Sequence, residues 1–190
     1  RMAYQKITDI YSTSSDYSGN TSEAQQFFAT VQNKLHWAIT GHTAAELIAE
    51  RADSHKPAMG LTSWRKGPHG KILPTDVRIG KNYMAREEIQ QLNHIVDMYL
   101  DYAELQASRG RLIRMKEWEK KLNAFLKFNE MDVLRHAGKI SHEVAIALAD
   151  KEYAKYRVEQ DRTLISDFDR EMKRYLTKSK PNKRGGNDDK

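Results

Sequence analysis

Four side chains suited to anion binding or proton transfer lie within six positions of the sequence: Arg51, Asp53, His55 and Lys56. They close a short segment of helical periodicity and precede a stretch rich in Gly and Pro. A cation, a carboxylate and an imidazole beside such a loop could bind a phosphate group or perform acid–base catalysis. They could equally attach the loop to the helix by hydrogen bonds. The structural role is the favoured interpretation, and the four residues are the candidate catalytic residues of the alternative.

The histidines do not form a pattern that predicts a metal site. His142 and Glu143 begin a word similar to HExxH, but Ile146 occupies the position of the second imidazole. The chain has no cysteine, so thiolate ligands are excluded. We therefore expect no metal ion and no cofactor.

A row of polar side chains follows one flank of the clearest predicted helix: Asn93, Asp97, Asp101 and Glu104. Clustered acids can hold Mg²⁺ for phosphodiester chemistry. Rows of this kind are also common on solvated helix flanks that face Lys or Arg of a neighbouring helix. The solvated flank is the favoured interpretation, because such flanks are common and no partner acid elsewhere in the sequence is diagnostic.

The positive charge of the chain is concentrated at its end. The formal net charge is +6, and residues 178–190 hold five Lys or Arg against two Asp, which is half of that excess. The segment is poor in apolar residues and is predicted to be disordered alone. Lys178, Lys180, Lys183 and Arg184 are therefore candidate nucleic-acid-binding residues, whereas the alternative is a solubilising terminus.

Apolar residues recur at helical spacing through most of the chain, which predicts an all-α fold of six or seven helices. The segments with this pattern are 4–11, 27–39, 44–52, 89–109, 115–126, 129–138 and 141–175. Gly41 favours a helix end, and Thr43 with Glu46 forms a capping box that begins the next helix. The expected core residues are Phe28, Leu35, Trp37, Ile48, Leu92, Val96, Leu100, Trp118, Leu122 and Phe125.

Residues 54–75 are predicted to form one long irregular loop, since Pro and Gly recur there and periodicity is absent. Connections of this length inside a compact domain are unusual and are more often functional or disordered. Met59, Leu61 and Trp64 are large apolar residues, so part of the loop is expected to pack on the core.

The last predicted helix begins after Ser141 and continues towards Tyr175. We expect Val144, Ala145 and Leu148 to pack on the domain. Beyond Tyr156 little chain remains to cover a further group of apolar residues. We therefore predict that this group pairs with the same segment of a second subunit in a homodimer. These candidate interface residues are Leu164, Ile165, Phe168 and Met172. The alternative is a break near Glu159–Thr163 that folds the last helix back.

Neither a signal peptide nor a run of about 20 apolar residues is present. We therefore expect a cytoplasmic protein without a membrane partner.

Four long words occur in an order typical of one protein family: VQNKLHWAITGHTAAELIAERAD, KPAMGLTSW, KNYMAREEIQQLNHIVDMYLDYAELQA and AGKISHEVA. From about Tyr4 to Tyr156 the chain resembles the C-terminal part of the RhuM-type virulence proteins of bacteria. The resemblance implies a missing N-terminal part similar to a DNA-binding or phage-antirepressor module. Some members are fused to a Fic/Doc-type toxin domain, but the Fic motif HPFxxGN is absent from this sequence.

The sequence therefore predicts a RhuM-like helical domain at 1–156, a helix extension at 157–177 and a basic tail at 178–190. The leading hypothesis is a non-catalytic interaction or oligomerisation module of a virulence-associated protein whose N-terminal part engages DNA. The first alternative is a toxin- or nuclease-like enzyme acting on nucleic acid or nucleotide. The second is direct DNA binding through the basic tail.

Overall fold

The computed structural model describes residues 14–17, 22–163, 169, 172, 174 and 175. This part of the chain is helical and contains no strand, so the all-α prediction is confirmed. Its five α-helices are α1 (Ser22–Thr40), α2 (Ala44–Arg51), α3 (Arg86–Ser108), α4 (Met115–Phe128) and α5 (His142–Thr163). The predicted helix at 4–11 lies outside the described residues. The predicted count of six or seven is not reached in the residues that are described.

The junction between α1 and α2 forms as predicted. Gly41 adopts a φ of 71° and donates its N–H to the Trp37 carbonyl, which ends α1. The N–H of Thr43 donates to Glu46 Oε2 at 2.7 Å, and the N–H of Glu46 donates to Thr43 Oγ1 at 3.3 Å. This capping box turns the chain sharply, so α1 and α2 pack against each other.

One core cluster joins α1, α3 and α4. Its fully buried members include Leu35 of α1, Leu92 and Val96 of α3, and Trp118 and Leu122 of α4. The expected core is confirmed, because each predicted residue is buried or half-buried. The half-buried ones are Phe28, Trp37, Leu100 and Phe125.

A second core cluster joins α2, the irregular loop and α5. Met59, Leu61 and Ile72 of the loop are buried against Ile48 of α2, as the loop's apolar residues predicted. From α5 the buried residues are Ala145, Ala149 and Tyr153. The small alanines let the helix approach closely, and the Tyr153 hydroxyl donates to the Ile72 carbonyl at 3.1 Å.

Two predictions about the C-terminal third are wrong. Val144 and Leu148 are 52% and 43% exposed, because Ala145 and Ala149 face the core and turn their larger neighbours outward. Residues 129–138 form no helix. The chain leaves α4 at Glu130 with a φ of 58° and continues irregularly to Leu134, which is buried.

Contacts divide the chain into a first unit, Arg1–Tyr156, and a second unit, Arg157–Lys190. The helix α5 runs without a break to Thr163, and most of its predicted continuation to Tyr175 lies outside the described residues. None of the helices in the described part combines the length and the apolar character that crossing a membrane requires.

Candidate functional site

The candidate catalytic residues lie where α2 ends and the irregular loop begins. Arg51 is the last residue of α2, and Asp53, His55 and Lys56 follow in a tight turn. The Lys56 N–H donates to the Asp53 carbonyl at 3.1 Å, which closes this turn. Lys56 itself is exposed. The structure therefore places these residues close in space, but Arg51 pairs with Glu88 whereas Asp53 and His55 contact each other.

Arg51 binds the start of α3. Its guanidinium donates to both carboxylate oxygens of Glu88, at 2.7 and 2.8 Å, and to the Tyr83 carbonyl at 2.9 Å. The Glu88 carboxylate raises the pKa of Arg51, and the guanidinium lowers the pKa of Glu88. The same carboxylate accepts the Ala85 N–H, so it also caps α3. Arg51 therefore has a structural role that links α2 to α3.

Asp53 and His55 form a small exposed pair. The His55 N–H donates to Asp53 Oδ1 at 2.9 Å, and the ring nitrogen Nδ1 lies 3.1 Å from the same oxygen. These hydrogen bonds from His55 lower the pKa of Asp53. The His55 side chain is 87% exposed, so most of its ring faces solvent.

Glu152 of α5 joins this pair, although it lies far away in the sequence. Its Oε2 accepts the N–H and the hydroxyl of Ser54, at 3.0 and 2.6 Å, and its Oε1 accepts Lys155. Hydrogen bonds from Lys155 and Ser54 lower the pKa of Glu152 to about 2. Ligand atoms of Asp53, His55 and Glu152 lie within 4.8 Å of one another. Glu152 could not be identified from the sequence, because only folding brings it to the loop.

A left-handed turn fixes the loop against α2. Ala58, Met59 and Gly60 have φ values of 51°, 58° and 80°. A Cβ atom on Gly60 would lie 2.2 Å from the Arg51 carbonyl oxygen, so the backbone approach requires glycine. Left-handed backbone in Ala and Met costs about 1–2 kcal/mol per residue. Burial of the Met59 side chain offsets part of this cost.

The other predicted groups remain apart from this cluster. Asn93, Asp97, Asp101 and Glu104 are exposed along α3, as expected for a solvated flank. Of the candidate interface residues, Met172 is described and is 45% exposed. Seven predicted residues lie outside the described part: Leu164, Ile165, Phe168, Lys178, Lys180, Lys183 and Arg184.

A basic surface at the junction of α3 and α4 was missed in the sequence. Residues 109–121 hold six Lys or Arg and two Glu, a net charge of +4, which the modest net charge of the whole chain conceals. We define the basic surface as Arg109, Arg111, Arg114, Lys116, Lys120 and Lys121. All but the half-buried Lys121 are exposed. A count of charge in short windows would have found this segment.

The acids inside this segment do not neutralise the basic surface. Glu117 accepts the Arg114 N–H at 3.0 Å and caps α4, and Glu119 pairs with Lys34 at 3.5 Å. Within the described residues, no ion pair involves any cation of the basic surface. A groove of about 470 Å³ runs beside it, lined by Arg111, Leu112, Ile113, Glu117, Lys120 and Lys121.

Comparison with known families identifies the chain. The model of the virulence protein RhuM family matches residues 1–164. The chain belongs to this family. The resemblance predicted from the sequence words is thereby confirmed. No curated protein and no solved structure matches the chain. The assignment of this RhuM-family chain as virulence-associated therefore rests on the family.

Proposed function

We propose that this RhuM-family chain is a non-catalytic interaction domain and that its partner is nucleic acid, bound along the phosphate backbone by the basic surface. The observation that supports this proposal most directly is the row of cations at 109–121 without carboxylate partners in the described part. Cations that are neither paired nor buried are available to neutralise phosphates and release counterions.

The side chains of and around the basic surface also suit nucleic acid. Leu112 is 84% exposed between Arg111 and Ile113, and the Lys121 ammonium lies 5.8 Å from the centre of the Tyr102 ring. Guanidinium groups can bind phosphate oxygens through paired N–H donors, and the basic surface holds three of them: Arg109, Arg111 and Arg114. An apolar side chain among the cations offers a contact for an exposed base or sugar.

The enzyme alternative has less support, because its central cation is engaged. The Arg51 guanidinium donates to the Glu88 carboxylate and to the Tyr83 carbonyl, and both contacts stabilise the packing of α2 near α3. A phosphate group would have to displace a two-point ion pair to reach it.

Two further parts of the hypothesis remain proposals. The basic tail, with Lys178, Lys180, Lys183 and Arg184, would add phosphate contacts to those of the basic surface. Pairing through Leu164, Ile165, Phe168 and Met172 would place two basic surfaces in one assembly and raise the apparent affinity for a long nucleic acid.

Fluorescence anisotropy with labelled duplex DNA and single-stranded RNA of random sequence tests the proposal. The triple variant Arg111→Gln, Arg114→Gln and Lys120→Gln should bind more weakly at every salt concentration from about 50 to about 200 mM. The slope of log affinity against log salt should become shallower by roughly one for each phosphate contact removed.

The matched control carries the same loss of charge elsewhere. Lys66→Gln, Arg86→Gln and Lys151→Gln remove three exposed cations from other regions, so this variant should retain most of the affinity. The affinity of a chain truncated after Thr177 shows how much the basic tail contributes to binding. Equal losses in both triple variants would contradict the basic surface, and no binding by the intact chain would reject a nucleic-acid partner altogether.

A further inference from the structure

A second region of this domain brings together metal-ligating groups that play no part in the proposed nucleic-acid binding. They are Asp53 and His55 in the turn after α2, and Glu152 in α5. The expectation of no metal rested on histidine spacing within one helix. That criterion cannot detect a ligand set assembled from a loop and a distant helix.

We propose that Asp53, His55 and Glu152 bind a divalent transition-metal ion, with Zn²⁺ as the best match and Mn²⁺ as the next. One imidazole nitrogen and two carboxylate oxygens form a mixed donor set. Zn²⁺ and Mn²⁺ accept such a set more readily than Mg²⁺ and Ca²⁺, which prefer oxygen ligands only. Water would complete the coordination, because the His55 side is open to solvent.

The present geometry is close to what an ion requires. Ligand atoms of a tetrahedral zinc site lie about 3.4 Å apart at bond lengths of about 2.1 Å. The three candidate ligand atoms lie within 4.8 Å of one another, and Asp53 Oδ1 is already 3.1 Å from His55 Nδ1. Rotation of the exposed His55 ring and a small shift of the carboxylates would close the remaining distance.

Hydrogen bonds from Ser54 prepare the Glu152 carboxylate for an ion. The Ser54 N–H and hydroxyl both donate to Oε2 of Glu152, and outer-shell hydrogen bonds of this kind orient carboxylate ligands at established metal sites. The Lys155 ammonium already contacts the Glu152 carboxylate. We infer that Lys155 and the metal ion compete for this carboxylate.

Isothermal titration calorimetry of the intact, untagged chain with ZnCl₂ near neutral pH tests the site. We expect a single bound ion per chain and an affinity lowered about tenfold or more in His55→Ala. The His55 side chain is 87% exposed, so this substitution removes a ligand without disturbing the core. Asp53→Asn and Glu152→Gln should lower the affinity as well.

His69→Ala is the matched control, because His69 is an exposed loop histidine outside the cluster. It should bind Zn²⁺ as the unmodified chain does. Lys155→Met should bind Zn²⁺ more tightly, since it removes the competing ammonium, whereas a purely structural cluster gives no reason for a gain. The triple variant of the basic surface should bind Zn²⁺ normally, which separates this proposal from the one above.

Three results would overturn the proposal. The first is no Zn²⁺ binding at millimolar concentration. The second is an affinity in His55→Ala equal to that of the unmodified chain, and the third is an equal loss in the His69→Ala control.

Discussion

Charged residues in this domain fall into two groups. Some form ion pairs that join parts of the fold, and others are exposed on the surface without an ion-pair partner in the described part. Arg51 and Glu88 form a partly buried two-point ion pair, and Arg78 and Asp150 form an exposed one. Arg111, Arg114 and Lys120 are exposed and form no ion pair within the described residues. Formal charge alone could not separate these groups, because the difference lies in long-range contacts.

His36 provides a test of pH-dependent stability. Burial, followed by repulsion from Lys81, lowers its pKa from the ordinary 6.5 to about 4. The unfolded chain therefore takes up a proton below about pH 6.5 while the folded chain does not, so the free energy of unfolding falls as the pH falls towards 4. The full loss is about 3 kcal/mol. Urea unfolding between neutral and acid pH should show it.

The variant His36→Gln isolates this contribution, because glutamine cannot take up the proton. Its stability should depend less steeply on pH across that window than that of the unmodified chain. His69→Ala, which removes an exposed histidine, should leave the slope unchanged. Parallel slopes in His36→Gln and the unmodified chain would contradict the assignment.

The candidate site was only partly predictable from the sequence. Arg51, Asp53 and His55 attracted attention because their types and spacing are informative within a few residues. Glu152 and the basic surface were not recognised in the sequence, for different reasons. Glu152 reaches Ser54 only through the packing of α5 on the loop, whereas the cations of the basic surface were visible but were averaged into the net charge.

Local chemistry explains which structural elements could be predicted. The capping box of Thr43 and Glu46 and the left-handed Gly41 are signals contained in a few residues, and both appear as expected. The face of α5 was misassigned because Ala145 and Ala149 pack on the core although larger residues stand beside them. A shift of one residue rotates a helix face by about 100°. Tertiary packing therefore determines which face of α5 is buried, and the apolar pattern alone does not.

The turn at Pro57–Gly60 supports the second core cluster, and glycine is required in it. Gly60→Ala should destabilise the domain by about 2 kcal/mol or more, because a left-handed alanine is strained and its Cβ would meet the Arg51 carbonyl at 2.2 Å. Urea unfolding monitored by circular dichroism measures the change.

Gly41→Ala is the control for this substitution. Gly41 has a similar φ of 71°, but a Cβ there would have no atom within 4 Å. It should therefore cost only the conformational strain of about 1 kcal/mol. Equal losses at the two glycines would mean that the close approach to Arg51 is unimportant.

The distribution of charge over the whole chain suggests how its parts cooperate. The basic surface lies in the first unit, and the cations of the tail belong to the second. Each set alone would bind a phosphate backbone weakly and in a salt-dependent way. Linked in one chain, and doubled in a dimer, they would bind with higher apparent affinity.

The dimer is the remaining prediction for the whole molecule. Three described side chains of the second unit are apolar or aromatic and well exposed: Val158 at 54%, Met172 at 45% and Tyr175 at 77%. Full burial of a large apolar side chain contributes roughly 1.5–3 kcal/mol, so an interface that covers this segment would be stabilised by several such groups. We expect sedimentation at micromolar concentration to show a dimer for the intact chain. A chain truncated after Tyr156 should sediment as a monomer.

Point variants distinguish a specific interface from the mere loss of the second unit. Ile165→Glu and Met172→Glu together would place carboxylates in the predicted apolar contact, where their desolvation is costly, and should give monomers. Gln91→Glu introduces the same group on an exposed position of α3 and should leave the dimer intact. Removal of the tail after Thr177 should also preserve it, because the tail is poor in apolar residues. A monomeric intact chain would reject the dimer, and a dimeric truncated chain would move the interface into the first unit, where Val144 and Leu148 of α5 are exposed.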